Sequence, residues 1–375
     1  MTFPDVDTLR LCSMLSSSAF GFVFGVLWLR DRSARHFVHW ALSSFLYTAV
    51  LFAFTAAPRD SLAAGMAIYA VLGLTQALPV AGVYALEGGR PWRWWMIVPV
   101  ASAVLGHVLP GMLDALGWMA RTERGQSVCD AAGLAISMGL AGFILAFGHG
   151  ARRSVGRRLA GLAMLGYLPG YALSICGMFF ELPGKNLVAL LALLSDQVLL
   201  GVLNLALLAI PVEQVQRALR AAALRDPLTG CWNRAGLEQV ALRFLRPGAA
   251  VIAIDVDHFK AINDRHGHGA GDQVLISLGR EAAALAGEHA GQAARLGGDE
   301  FLVLLPVECR DPEGFMTRLR QRLEMSGALT DRWSVSMGLA AVEADDRRID
   351  DVIVRADRSL YRAKACRDLE VRELC

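Results

Sequence analysis

Charge is what the first part of this chain lacks. Residues 1–211 hold 24 of the 72 Asp, Glu, Lys and Arg residues, and the shorter stretch 212–375 holds the other 48. So uneven a split excludes one uniform soluble domain and argues for a membrane half joined to a soluble half. A basic leader is missing too. Asp5 and Asp7 precede the first apolar run and no small-residue cleavage site follows, so the start is expected to stay as an uncleaved span. The formal net charge of +2 is too small to imply a nucleic-acid partner, and none is expected. Cys12, Cys129, Cys176, Cys231, Cys309, Cys366 and Cys375 show no paired spacing of the zinc or redox kind. Their odd number and scatter favour reduced, structural thiols.

Long apolar runs are what the first half has. Crossing a hydrocarbon core by helix takes about 20 apolar residues. Seven stretches qualify, near 11–29, 37–57, 62–86, 94–119, 128–148, 159–180 and 187–211. The third and fourth contain Pro79, Pro99 and Pro110, which a membrane helix tolerates where neighbours satisfy the freed carbonyl. Alternate loops carry Arg30, Arg32, Arg35, Arg90, Arg93, Arg152, Arg153, Arg157 and Arg158. The opposite set carries only Arg59, Arg121, Arg124 and Lys185. The bias predicts the N-terminus outside and the C-terminal half in the cytoplasm.

The outside loops are too short for a folded sensor, so a signal is expected to be read within the spans or at the membrane surface. Asp196, Gln197 and Asn204 fall inside the last span, where polar groups either serve function or hydrogen-bond between helices. His107 is expected to be a satisfied interior histidine, because no second metal ligand accompanies it at helical spacing. Trp92-Arg93-Trp94-Trp95 reads as an interfacial belt.

From Pro211 charges return. Val212, Val215, Leu219 and Ala222 fall at spacings of 3, 4 and 3, a short seam suited to pairing with a second helix or to a plain amphipathic linker. Asp226-Pro227 stops that helix, and further helices are expected over 235–246, 272–287, 312–325 and 350–366. Ala249–Ile254 reads as a buried strand that delivers Asp255 and Asp257 at its end. The two carboxylates are expected to diverge there, so that only one is a direct metal ligand. Hard oxygen donors beside Lys260 suit Mg²⁺ and a phosphate-bearing substrate. Gly297-Gly298 between apolar runs reads as a hairpin turn with strands near 292–296 and 301–305. It would hold Asp299 and Glu300 on a rigid sheet edge. A further strand is expected over 333–341.

Taken together, Asp226-Pro-Leu-Thr-Gly-Cys-Trp-Asn-Arg234, the run from Asp255-Val-Asp-His-Phe-Lys260 to Asp272, and Gly297-Gly-Asp-Glu-Phe301 resemble the GGDEF family of diguanylate cyclases. The resemblance covers about Asp226 to Arg367. With the apolar spans it gives a multi-domain chain, expected in a bacterial inner membrane: an all-α polytopic membrane domain of about seven helices over 1–211, a helical signalling linker over 212–225 and an α/β GGDEF domain over 226–375. The last would be nucleotidyl-cyclase-like, with a central mixed, antiparallel-rich sheet flanked by helices. The implied reaction joins two GTP into cyclic di-GMP with release of two pyrophosphates, in a homodimer, with Mg²⁺ or alternatively Mn²⁺.

By the same resemblance Asp255, Asp299 and the Val256 carbonyl would bind metal. Glu300 would assist metal binding or deprotonate the attacking hydroxyl. Asn263 and Asp272 would read the guanine edge, the backbone around His258, Phe259 and Lys260 would cradle phosphates, and Lys364 would contact phosphate. After Lys364 the sequence departs from the family: Ala365-Cys366-Arg367-Asp368 replaces Gly-Arg-Asn. Either Arg367 replaces the second phosphate contact or that contact is lost. This stretch alone favours the alternative of a GTP-binding scaffold without catalysis. Glu288-His289-Ala290-Gly291 stands where many relatives have the Arg-x-x-Asp of product inhibition, so none is expected at that site.

Overall fold

The computed structural model describes residues 6–56, 61–118, 120–180, 185–326 and 333–373, and the side chains among them except those of 153, 178–192 and 367–373. The chain divides into two compact units, Met1–Val215 and Gln216–Cys375.

The first unit is helical: α1 Val6–Arg30, α2 His36–Ala56, α3 Leu62–Leu86, α4 Ile97–Ala115, α5 Glu123–Phe147, α6 Val155–Leu165, α7 Leu168–Phe180 and the start of α8 Lys185–Ala223. Among the described residues, seven helical segments are long and apolar enough to cross a membrane. The sixth was expected as one unbroken run. It is divided into α6 and α7 at Gly166-Tyr167, and Pro169 lies in the first turn of α7, where its missing N–H breaks no helical bond. The most apolar window of α3 is 61% buried, against 17–39% for the other spans, so α3 is the central helix. Phe22, Val26, Phe143 and Val198 stay exposed, as suits helices whose outer faces meet hydrocarbon.

Polar groups tie this bundle together. Pro79 removes the N–H that would bond the Thr75 carbonyl, and the Ser43 hydroxyl of α2 donates to that carbonyl at 2.8 Å. Buried Arg157 of α6 pairs with Glu87 at the end of α3, and Glu213 of α8 accepts from the Gly156 N–H at 2.8 Å. His107 bonds Asp130 at 3.1 Å and stacks on Tyr69 with ring centroids 4.6 Å apart. It is therefore a satisfied interior histidine, as its sequence context suggests.

The second unit follows with α9 Arg234–Ala241, β1 Ala250–Val256, α10 Phe259–His266, α11 His268–Glu288, β2 Gln292–Gly297, β3 Glu300–Leu305, α12 Pro312–Met325, β4 Val335–Ala341 and α13 Ile349–Glu373. The sheet order is β2-β3-β1-β4 and every pairing among these strands is antiparallel. The expected mixed sheet is thus refined: among the described residues its one parallel element is the isolated bridge of Trp232 to Ala294. Alternation sorts the strand residues onto two faces. Ile252, Ile254, Phe301 and Val303 pack with Val274 and Leu278 of α11 and Phe315 of α12. Val251, Ala253, Leu302 and Leu304 pack with Leu237 and Val240 of α9 and Val352 and Ala356 of α13.

Phe315 is fully buried beneath the first of these faces. Phe315→Ala is expected to cost about 3–5 kcal/mol by lost burial and a residual cavity. Guanidinium unfolding of the two proteins checks this, and a loss below about 1 kcal/mol would contradict it.

Candidate active site

The sheet builds the site at one end of β1. Asp255 pairs across β3 with Glu300 and across β4 with Ser336. Directly opposed residues of an antiparallel ladder point to the same face, so both side chains leave the sheet on the α9/α13 face. Val251 and Ala253 precede Asp255 on that face, and their apolar packing fixes the register that carries it. Lys364 of α13 reaches back to Asp255, Nζ to Oδ1 at 2.6 Å. Burial lifts Asp255 above the usual carboxylate range. Lys364 opposes the shift, while Asp299 and Asp257 add to it.

The strand's alternation does not separate Asp255 from Asp257, since residues two apart share a face. Their partners separate them. Buried Asp257 lies just past β1, and its two oxygens accept from the hydroxyls of Ser334 and Ser336 at 2.5 and 2.7 Å. Asp257 is thereby fixed to β4, while Asp255 faces Lys364.

The hairpin between β2 and β3 brings in Asp299. Gly297 pairs with Glu300, leaving Gly298 and Asp299 as a two-residue loop, with a register shift between Arg295 and Gly297. Gly297 has φ 153° and Gly298 φ 53°, both in the region that side chains avoid. The Gly298 carbonyl is gripped by Arg295, Nε at 2.9 Å and Nη2 at 2.7 Å. The same guanidinium pairs with Asp226 at 3.0 Å. Burial pushes Asp226 up, but the Thr229 hydroxyl and N–H, with Arg295, hold it below the usual range overall. Arg295 therefore clamps the turn that carries Asp299 to the segment that follows α8. Its role was not legible before the fold, because its two partners lie 69 residues away and within its own turn.

On the other side, α10 is preceded by His258, whose φ of 54° is unusual for a non-glycine residue. Phe259 is half-buried and Lys260 exposed. Asn263 of α10 lies against Gly271 of α11: a Cβ there would sit 2.0 Å from Asn263 Oδ1. The close approach requires glycine and sets Asn263 beside the turn of α11 that presents exposed Asp272. The backbone of Arg367 lies in α13, and its side chain falls outside the described residues. Of the three lysines in the sequence, Lys185, Lys260 and Lys364, the last two are in this region.

Among the described residues no three His, Cys, Asp or Glu side chains converge as a finished metal cage. The donors gathered at this end of the sheet are hard oxygens: Asp255 and Glu300 opposed in register, with Asp299 close enough to influence Asp255. One or two carboxylates completed by waters and substrate phosphates is the arrangement Mg²⁺ prefers, so the residues fit that ion.

The family described as "Diguanylate cyclase, GGDEF domain" matches residues 223–368. An uncharacterised 19.3 kDa protein of Streptomyces ambofaciens is 38% identical over 148 residues, covering 38% of this chain and 80% of its own length. The chain belongs to the GGDEF family. Diguanylate cyclase DgcP of Pseudomonas aeruginosa is 40% identical over 157 residues, 39% of this chain and 23% of DgcP. The chain thus matches less than a quarter of that cyclase's length. Among solved structures, the coiled coil and GGDEF domain of DgcB from Caulobacter crescentus, in complex with c-di-GMP, is 26% identical with a TM-score of 0.37. That match covers 41% of this chain and 87% of the other.

Within this GGDEF domain, Arg295→Met removes the clamp on the hairpin. It is expected to lower the local stability of the 297–300 amides by about 1–2 kcal/mol, seen as faster hydrogen exchange. Because Asp226 is held below its ordinary value, that contribution is complete above roughly pH 4 and fades as the pH falls further. Unchanged exchange at neutral pH would remove the clamp from the account.

Proposed function

We propose that this protein is a membrane-bound diguanylate cyclase. The observation that carries the reading is the register of β1 with β3, which sets Asp255 beside Glu300 at the end of a sheet capped by the Gly297-Gly298 turn. In the proposed reaction each 3′-hydroxyl of two GTP attacks the α-phosphate of the other. A new P–O bond forms, the bond to pyrophosphate breaks and the hydroxyl proton leaves. Two pyrophosphates and cyclic di-GMP result, so two copies of the domain must face each other as a homodimer.

Asp255, Asp299, the Val256 carbonyl and Glu300 would hold Mg²⁺, or alternatively Mn²⁺. The ion would neutralise charge that develops on the phosphates. Glu300, exposed at the start of β3, would accept the hydroxyl proton or support the metal. Asn263 and Asp272 would accept guanine N–H donors, which a carboxylate can take in pairs. His258, Phe259 and Lys260 would line the phosphate path. Lys364 would give up Asp255 when metal arrives and turn to phosphate, so metal and nucleotide binding would help each other. Arg367 is proposed as a second phosphate contact.

Among the described residues, seven helices of membrane-crossing length, with arginine concentrated in alternate loops of the sequence, support insertion with the N-terminus outside and the GGDEF domain in the cytoplasm. The helix α8 runs without interruption from the last span to Ala223. Val212, Val215 and Leu219 on it are exposed, which supports pairing with a second copy or an amphipathic linker.

Turnover of GTP by the full chain with Mg²⁺ tests this reading. Cyclic di-GMP is expected from wild type, with Asp299→Ala and Glu300→Ala each at least about 10²-fold slower. GTP bound without product, in a chain shown to be dimeric, would favour the inactive scaffold instead.

A further inference from the structure

A cavity of about 80 Å³ lies inside the helical unit, walled by α1, α2, α3 and α5–α8. Its floor is the carboxylate of Asp196, which is 6% exposed. Three hydroxyls donate to it: Ser13 to Oδ2 at 2.6 Å, and Tyr47 and Tyr167 to Oδ1 at 3.0 and 2.9 Å. Gln197 donates in turn to Ser13, so the ring of donors is itself held in place. A carboxylate offers about four acceptor sites, and three are filled. None of the residues that line the cavity is basic.

The other polar side chains of the wall are mostly turned onto backbone carbonyls. Ser17 donates to Ser44, Ser43 to Thr75, Thr75 to Leu72, Trp40 to Pro79 and Asn204 to Leu200. Gln76 is the exception. It is 3% exposed, lines the cavity, and its Oε1 has no hydrogen-bond partner. Leaving a buried acceptor unpaired is costly, and a donor that enters the cavity removes the cost. Two acceptors therefore wait on one space: the open position of Asp196 and Gln76 Oε1. The remaining wall is apolar or aromatic, with Leu72, Leu200, Leu203 and the rings of Trp40 and Tyr171. Aromatic faces favour cations.

We propose that this cavity is a binding site for a small organic ammonium compound. Its N–H groups donate to Asp196 and Gln76, and its short apolar tail lies among the leucines. The volume admits about four or five non-hydrogen atoms. Asp196 lies on α8, the helix that continues to Ala223, so a ligand held here acts on the element that leaves the bundle. The site is independent of the cyclase reading, because its evidence and its test involve neither GTP nor the GGDEF domain.

Calorimetric titration of the full chain in lipid nanodiscs with propylammonium chloride tests the site, with sodium chloride and 1-propanol as controls. Saturable binding of propylammonium is expected, with a Kd on the order of 0.1–1 mM for so small a ligand. Asp196→Asn is expected to weaken it by about tenfold or more, and Gln76→Leu by about fivefold. Gln76→Leu should also raise the thermal midpoint of the ligand-free protein, which keeps the test valid if Asp196→Asn fails to fold. No saturable binding by wild type would overturn the proposal. So would equal affinity in Gln76→Leu, which would place the cation elsewhere, or equal affinity for 1-propanol, which would show a cavity indifferent to charge.

Discussion

The pairing of Asp255 with Glu300 across two antiparallel strands is the constraint on which the second unit turns. It holds because Val251, Ala253, Leu302 and Leu304 share the same face and are buried beneath α9 and α13. A slip of one residue would carry that whole apolar set to the other side and separate the carboxylates. Core packing and site geometry are therefore one requirement. Around this pair the remaining parts fall into fixed distances. Arg295 holds the turn before Glu300, two serines of β4 neighbourhood hold Asp257, and Lys364 supplies the nearby positive charge.

The two units meet opposite demands with the same physics. In the first, charge is scarce, apolar side chains point outward, and the polar side chains described above bond across helices or to carbonyls freed by proline. In the second, apolar residues are sorted to two faces of a sheet and charge gathers at its end. The cavity around Asp196 stands out against this background because the buried Oε1 of Gln76 has no hydrogen-bond partner there.

Much of the fold could be read before the structure, where a short local signal determines it. The hairpin follows from two glycines between apolar runs, and the spans follow from length and composition. What escaped depends on longer reach. The break at Gly166-Tyr167 sits inside an apolar run whose average hydropathy hides it. The short helix α10 escaped because its apolar face over 259–266 is only Phe259 and Ile262, packed part-buried against the core, too brief a pattern to mark a helix. The expected divergence of Asp255 and Asp257 rested on strand alternation. Residues two apart share a face, and serines 77 and 79 positions downstream give Asp257 its separate place. The clamp by Arg295 likewise needs the sheet to bring Asp226 near.

The proposal that Asp255 exchanges Lys364 for a divalent ion is tested most directly by metal binding itself. Mn²⁺ titrated into the full chain with a non-hydrolysable GTP analogue, followed by electron paramagnetic resonance, reads the site without relying on turnover. Wild type is expected to bind Mn²⁺ more tightly with nucleotide than without, and Asp255→Asn to lose most of that affinity. Equal binding by wild type and Asp255→Asn would contradict the assignment of the metal to the end of β1.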